Sequence, residues 1–161
     1  LRCIERCRLF PQCGCGLKGC LETYTAAKGI VMTAGELLAD NPNTPSLMRD
    51  CERLTPKIIA GMCEQGDQLA IETYRRTGYI LGIGLANLAA IMDPEAIILA
   101  GGISKAGKWL IEPLDESFGE HLFHNMRDKV KIIVSTISDR DRDVLGASAL
   151  AWEVKEYSLF K

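Results

Sequence analysis

The sequence of 161 residues predicts an α/β fold, and two observations lead to this prediction. Two short apolar runs, residues 96–100 and 130–134, have the length and the β-branched content of strands. Stretches of helical character lie before, between and after them, and this alternation is typical of α/β proteins. The apolar share of 47% and the charged share of 25% fit a globular domain and argue against disorder, a collagen-like repeat or a coiled coil.

The first third of the chain is predicted to be a loop followed by helices. Residues 1–20 contain a proline and several glycines among cysteines, and we expect them to form a loop. A helix is expected over 21–39. The segment 41–45, which reads Asn-Pro-Asn-Thr-Pro, ends it, and another helix is expected over 47–53.

Two capping signals mark the next helices. Thr55 followed by Pro56 is typical of an N-cap and the first helical position, and we expect that helix to reach about Cys63. Gly66 then interrupts the helix, and Asp67 is expected to cap the following one.

The longest predicted helix covers residues 67–92. Gly78 and Gly82 lie four residues apart in it and are expected to permit the close approach of a neighbouring element. Because a glycine inside a helix costs about 1 kcal/mol, we expect packing, rather than propensity, to hold this helix in a largely buried position. Its apolar face comprises Leu81, Leu85, Leu88 and Met92.

The second half of the chain contains the predicted strands. Residues 96–100 are expected to form a buried strand, and the loop 101–107 leads into a helix near Lys108. Pro113 is expected at the first position of a continuing helix that extends to about Met126.

The predicted strand 130–134 is followed by 139–143, where Asp and Arg alternate, as is typical of a solvated turn. A final helix is expected over 144–157. His121 and His124 lie three residues apart on the predicted helix, but they lack a third ligand, so we expect no metal there.

The charge balance limits the classes of partner. The 19 Lys and Arg residues against 21 Asp and Glu residues give a net charge of −2, so no nucleic acid or anionic membrane surface is expected to bind this portion. The longest stretch without charge, residues 77–92, is shorter than the roughly 18 residues of a membrane span. The sequence shows no export leader, and a cytoplasmic location is expected.

The cysteines indicate a metal site. The sequence has seven cysteines, and this odd total argues against a disulfide framework. Five of them lie within the first 20 residues. Cys13, Cys15 and Cys20 are interleaved with glycines that let the backbone fold back, so that three sulfurs converge as zinc requires. The alternative is a set of buried, inert thiols. A redox pair would need a C-x-x-C spacing, which residues 13–22 lack.

Three segments resemble one family. The pattern C-x-C-G-x-x-G-C-x-E over residues 13–22 resembles, at every fixed position, the signature of the ROK family of repressors, open reading frames and sugar kinases. Residues 93–107 resemble its nucleotide-side strand and Gly-rich loop, and residues 143–150 resemble its closing helix. The resemblance implies that residues 12–161 form the C-terminal lobe of an actin-like ATPase (ribonuclease-H-like) fold, with a zinc loop at 13–22, long added helices at 21–92 and the nucleotide side at 96–107.

The resemblance also implies roles for individual residues. It makes Cys13, Cys15 and Cys20 ligands of a structural zinc ion and makes Glu22 a ligand of the sugar hydroxyls. A carboxylate accepts several hydrogen bonds from neighbouring hydroxyls, which suits that role. The alternative is that Glu22 only stabilises the first turn of a helix.

The Gly-rich loop is the candidate nucleotide site. Glycine lets a ligand approach the backbone closely, although such a loop after a strand is often only a tight turn. Lys105 is interpreted as a solvated surface charge. The residues that the resemblance places near ATP are Gly101, Gly102 and Ser104.

The sequence departs from the family pattern in two places. The family's fourth zinc ligand is a histidine upstream of the first signature cysteine, whereas here Cys3 or Cys7 is the candidate. Residues 1–11 do not resemble the family, and an artefact of the gene model is the simpler explanation for them. The phosphate-binding Asp-x-Gly-Gly-Thr motif and the catalytic aspartate of the family's N-terminal half do not occur, so we expect a fragment that is inactive alone.

The resulting hypothesis is ATP-dependent phosphorylation of a hexose, most similar to the glucose-specific bacterial kinases of the family. Its implied cofactors are structural zinc and Mg-ATP, and its implied partners are a hexose, ATP and a second copy in a homodimer. Two alternatives stay open: the sugar-sensing domain of a ROK transcriptional repressor, and a free-standing zinc-binding interaction module.

Overall fold

A computed structural model describes residues 11–138, 141–142 and 144–149. Within them, helices precede and separate two short strands. The helices are α1 (Glu22–Thr25), α2 (Ala27–Asp40), α3 (Pro56–Glu64), α4 (Gln68–Met92) and α5 (Lys108–His121), and the strands are β1 (Ala96–Leu99) and β2 (Lys131–Val134). Short 3-10 helices occupy Leu47–Asp50, Gly102–Ala106 and His124–Met126.

The predicted caps of α3 and α4 are confirmed. The Thr55 hydroxyl accepts a hydrogen bond from the N–H of Ile58 at 3.3 Å, and Pro56 is the first residue of α3. The carboxylate of Asp67 accepts hydrogen bonds from the N–H groups of Leu69 and Ala70 at 3.0 and 3.1 Å. These acceptors satisfy backbone donors that a helix leaves unpaired at its N-terminus.

The predicted continuous helix over 21–39 is wrong, because the chain breaks at Ala26, whose ψ of 170° is extended. The break allows α1 to fold back against α2. A Cβ at Gly29 would lie 2.4 Å from the carbonyl oxygen of Thr23, so the two backbones touch where α2 has no side chain. The predicted helix over 47–53 is also wrong, since only a 3-10 turn at Leu47–Asp50 forms.

The close approach predicted at the glycines of α4 is confirmed, and the neighbouring element is α5. A Cβ at Gly78 would lie 2.7 Å from the carbonyl oxygen of Leu110, and a Cβ at Gly82 would lie 2.7 Å from that of Leu114. Side chains at these positions would therefore separate the helices. The hydroxyl of Ser117 donates a hydrogen bond to the carbonyl of Tyr79 at 2.7 Å across the same contact.

The predicted apolar face of α4 is only partly buried. Leu85 is 8% exposed, whereas Leu88 and Met92 are 47% and 73% exposed. Two apolar clusters flank the helix. The first includes Ile30, Ile59, Tyr74 and Leu110, and the second includes Leu85, Ala89, Leu114, Phe118 and Leu122.

The two strands are parallel, with Ile98 opposite Ile133. Ile97, Leu99 and Ile132 pack against the second apolar cluster. The prediction that the strand over 96–100 is buried is wrong for the face that points away from this cluster, because Ile98 on that face is 67% exposed. Alternation of side chains along a strand puts neighbouring residues on opposite faces, and only one face of this sheet meets the helices.

The last helical predictions need two corrections. Pro113 does not begin a helix but lies inside α5, and α5 ends at His121 rather than Met126. The Pro113 ring packs on α4, since a Cβ at Gly78 would lie 2.9 Å from Pro113 Cγ. His121 therefore ends α5 while His124 begins a 3-10 turn, so they do not share one helix face.

Near the end of the described chain, residues 144–149 are helical, as predicted, and 150–157 lie outside the described residues. Among the described helices, none has the combined length and apolar character of a membrane span.

Candidate functional site

The cysteine loop is closed by its own backbone. The N–H of Cys13 donates a hydrogen bond to the carbonyl of Leu17 at 2.8 Å, and the N–H of Gly16 donates to the carbonyl of Cys13 at 3.0 Å. Gly16 and Gly19 have φ values of +89° and +74°, a region that side chains disfavour. Glycine at these two positions therefore permits the reversal that was predicted from the spacing.

The reversal brings the three predicted sulfurs together. The Sγ atoms of Cys13, Cys15 and Cys20 all lie within 4.8 Å of one another. The Sγ atoms of Cys15 and Cys20 are 3.6 Å apart. Cys13 is buried, whereas Cys15 is exposed. Three convergent thiolates are soft ligands of the kind that zinc prefers, so the donor set fits a zinc ion with one further ligand.

The thiols interact with one another and with the backbone of their loop. A hydrogen bond with the backbone of Leu17, followed by hydrogen bonds with Cys13 and Cys20, lowers the pKa of the Cys15 thiol. Hydrogen bonds with Cys15 and Cys13 raise the pKa of Cys20 to about 11. Negative charge is thus favoured on Cys15, and a bound divalent cation would stabilise the thiolates in place of the shared protons. The candidate fourth ligands, Cys3 and Cys7, lie outside the described residues.

Glu22 lies beside this cluster. The thiol of Cys13 donates a hydrogen bond to Oε2 of Glu22, with an S–O distance of 3.6 Å. Glu22 is the first residue of α1 and is exposed, and no side chain forms a capping hydrogen bond at the start of α1. The carboxylate is therefore accessible, and the cysteine loop restrains it.

Leu21 anchors the loop to α4. A Cβ at Gly84 would lie 2.7 Å from the Cδ2 atom of Leu21, so the leucine side chain occupies the space that glycine leaves. The sequence prediction did not identify this contact, because no local spacing relates Leu21 to Gly84. Leu21 thus contacts α4 at Gly84 and Thr23 contacts α2 at Gly29, so α1 packs against both helices.

The predicted nucleotide loop follows the carboxyl end of β1. Gly101 has a φ of +101°, and the Ser104 hydroxyl donates a hydrogen bond to the Gly101 carbonyl at 2.7 Å. A 3-10 helix over Gly102–Ala106 follows, and α5 begins at Lys108. In open α/β sheets, ligands bind at the carboxyl ends of strands, and the loop lies at that position.

One cavity of about 170 Å³ joins the two candidate regions. Thr25, the last residue of α1 and three residues after Glu22, lines this cavity. Ser104 of the nucleotide loop lines it as well. The remaining lining residues are apolar or backbone: Leu81, Leu99, Ala100, Ile103 and Leu110. The structure therefore brings α1 and the loop after β1 to the same cavity, although Thr25 and Ser104 lie 79 positions apart in the chain.

Arg142 also lies at the loop, contrary to the prediction that 139–143 is a solvated turn. Its guanidinium Nη1 is 3.5 Å from where a Cβ on Gly101 would be, and the residue is half-buried. Asp141 beside it is exposed, as predicted, and Asp139, Arg140 and Asp143 lie outside the described residues. No local spacing in the sequence signals this placement, because it depends on the parallel alignment of β1 and β2, which puts both strand exits at the same edge.

A larger open depression, of about 740 Å³, lies beside the end of α5. Phe118, Leu122 and Val130 form its apolar part, and charged residues such as Asp115 and Lys131 surround them. None of the residues predicted for zinc, sugar or nucleotide line it, so its volume does not make it the candidate site.

The comparisons with known proteins agree with the cysteine pattern. The model of the ROK family matches residues 6–154 of this sequence. The chain belongs to the ROK family. Within that family it is 32% identical over 147 residues to a glucokinase of Halalkalibacterium halodurans, a match that covers 89% of this chain and 43% of the relative. The ROK chain thus spans less than half the length of that relative.

Other members combine this region with different functions. The ROK family glucokinase of Streptomyces griseus, whose structure contains glucose and AMPPNP, matches with a TM-score of 0.68 and 30% identity over 76% of this chain and 41% of that chain. The transcriptional regulator NagC of Escherichia coli is 30% identical over 142 residues, which cover 88% of this chain and 34% of the regulator. The ROK chain shares its mixed α/β fold with ROK sugar kinases of the actin-like ATPase fold.

Proposed function

We propose that this ROK chain is the C-terminal part of an ATP-dependent hexose kinase that converts glucose to glucose 6-phosphate. The observation that carries the proposal is the cavity shared by α1 and the loop after β1. Phosphoryl transfer requires that the sugar hydroxyl and the γ-phosphate lie close together. A sugar bound at Glu22 and a nucleotide bound at the Gly-rich loop would meet that requirement, because both elements border one space.

In this proposal Glu22 binds the sugar. Its carboxylate oxygens accept hydrogen bonds from neighbouring sugar hydroxyls, and such charge-assisted bonds are stronger than neutral ones. The zinc held by Cys13, Cys15 and Cys20 is structural: it restrains the loop from which α1 begins. The hydrogen bond between Cys13 and Glu22 supports this link between the metal loop and the carboxylate.

The nucleotide part of the proposal concerns Gly101, Gly102 and Ser104. The first two residues have no side chain to keep a ligand from their backbone, and Ser104 lines the shared cavity. Mg-ATP supplies the phosphoryl group, with the magnesium ion neutralising phosphate charge. Because the sequence contains neither the Asp-x-Gly-Gly-Thr motif nor the family's catalytic aspartate, we propose that the 161 residues bind ligands without turning them over.

The test is an NMR titration of the zinc-loaded chain with glucose up to millimolar concentrations. We expect amide shift changes centred on 22–25, which Glu22→Gln weakens at least tenfold. Glu36→Gln is the matched control, because Glu36 is an exposed glutamate on α2 away from the cavity. Glucose-induced shifts that Glu22→Gln leaves unchanged, or no shifts with the unaltered chain, would contradict the role of Glu22.

The match to NagC favours a second candidate, the sugar-sensing domain of a ROK repressor. The two functions differ in their use of nucleotide: a kinase part binds ATP, whereas a sensor of this type needs only the sugar. A parallel titration with ATP separates them, and zinc binding without sugar or ATP binding would favour a bare zinc module. A homodimer and a cytoplasmic location belong to the same proposal. Light scattering of the purified chain tests the homodimer.

A further inference from the structure

The loops that follow the two strands meet at one edge of the sheet. After β2, the N–H of Ser135 donates a hydrogen bond to the carbonyl of Leu99, the last residue of β1, at 2.8 Å. The N–H of Ile137 then donates to the Ser135 hydroxyl at 3.3 Å. These bonds keep the chain that leaves β2 beside the start of the Gly-rich loop.

A helical turn then directs Arg142 toward that loop. The Ser138 hydroxyl donates a hydrogen bond to Asp141 Oδ2 at 2.7 Å and accepts one from the Asp141 N–H at 3.2 Å. The N–H of Arg142 donates to the Ser138 carbonyl at 2.9 Å. Ser138 thereby caps the turn, and the guanidinium of Arg142 reaches within 3.5 Å of the Cβ position of Gly101.

A half-buried guanidinium beside a glycine loop has the chemistry of a phosphate ligand. Its planar fork donates two parallel hydrogen bonds to phosphate oxygens, and glycine leaves the backbone of the loop open to the same anion. We propose that Arg142 binds the phosphate groups of the nucleoside triphosphate that the 101–104 loop holds. This inference rests on the proposed kinase function, because it needs a nucleotide at that loop.

The experiment measures binding of ATP and adenosine to the full zinc-loaded chain by calorimetry. The variants are Arg142→Gln, which removes the charge, and Arg142→Lys, which keeps the charge without the fork. Arg127→Gln is the matched control, because Arg127 is exposed and lies at the depression beside the end of α5 rather than at the Gly-rich loop. Thermal melts of each variant establish that it folds.

We expect Arg142→Gln to weaken ATP binding about tenfold or more, because a charge-assisted bond to phosphate is lost, while adenosine binding stays within twofold. The ATP affinity of Arg142→Lys should lie between those of the unaltered chain and Arg142→Gln. The salt dependence of ATP binding should decrease in Arg142→Gln only. If Arg142→Gln does not fold, the Arg142→Lys comparison of ATP with adenosine decides the question.

Two results would overturn the inference. Unchanged ATP affinity in Arg142→Gln, or an equal loss of ATP and adenosine affinity, would mean that Arg142 is not a phosphate ligand, and the proposed function would stand. No ATP binding by the unaltered chain would overturn the kinase proposal and this inference with it.

Discussion

The thiol of Cys13 and the carboxylate of Glu22 are hydrogen-bonded at an S–O distance of 3.6 Å, although the two residues lie nine positions apart in the chain. Cys13 begins the cysteine loop and Glu22 begins α1, so this contact joins the two ends of the signature motif. Leu21, which packs at Gly84 of α4, fixes the same point to the helical core. The metal loop and the candidate sugar ligand are therefore parts of one structural unit.

The first prediction concerns the metal. The purified chain should bind one zinc ion, and replacing Cys13, Cys15 or Cys20 with Ser should reduce zinc retention at least tenfold, because each removes one thiolate ligand. Metal content by mass spectrometry and the visible spectrum of the cobalt-substituted chain measure this. Cys51→Ser is the control, since Cys51 is a free cysteine outside the cluster. Equal zinc loss in Cys51→Ser would argue against a specific site.

The second prediction concerns the fourth zinc ligand. Either Cys3→Ser or Cys7→Ser should weaken zinc binding and alter the charge-transfer bands of the cobalt form, because a sulfur ligand is replaced. If neither substitution changes the cobalt spectrum, both cysteines are excluded as the fourth ligand.

The third prediction concerns the α4–α5 contact. Gly82→Ala should destabilise the chain by about 1–3 kcal/mol, because its Cβ would lie 2.7 Å from the Leu114 carbonyl oxygen and force the helices apart. Gly35→Ala is the matched control in α2, where nothing lies within 4 Å, and it should stabilise by about 0.5–1 kcal/mol. Urea denaturation measures both, and a neutral Gly82→Ala would refute the packing argument.

The fourth prediction concerns the pH dependence of stability. Burial alone would raise the pKa of Asp67, but the Ser46 hydroxyl and the backbone N–H groups of Ala70, Leu47 and Leu69 donate hydrogen bonds to it, and the net effect lowers this pKa. A carboxyl group whose pKa is lower in the folded state stabilises the fold above its unfolded pKa of about 3.9. That contribution is lost as the pH falls through the folded pKa.

The melting temperature of the unaltered chain should therefore decrease when the pH is lowered below about 4. The decrease should be smaller in Asp67→Asn, because that variant has no carboxyl group at position 67 to titrate. At pH 7 the same substitution should cost about 1–3 kcal/mol, because buried donors lose a charged acceptor. Asp50→Asn, at an exposed position in the 3-10 turn, should change neither quantity. An identical pH profile in Asp67→Asn would contradict the role assigned to this cap.

Much of the local structure could be predicted because its causes are local. Thr55 and Asp67 cap helices through bonds to residues two or three positions later, and Gly16 and Gly19 permit the turn that brings the cysteines together. The break at Ala26 could not be predicted, because the contact between Thr23 and Gly29 that accompanies it forms only when the chain has folded back. The exposure of Ile98 depends likewise on which face of the sheet the helices cover.

The sequence by itself determined the family, the cysteine cluster and the order of helices and strands, since each follows from residue types at fixed short spacing. Only the tertiary structure decided which distant residues share a site. Thr25 and Ser104 meet at one cavity because α1 is seated against α4 near the end of β1. Arg142 reaches Gly101 because the parallel pairing of β1 and β2 aligns the exits of both strands, a relationship that no local spacing encodes.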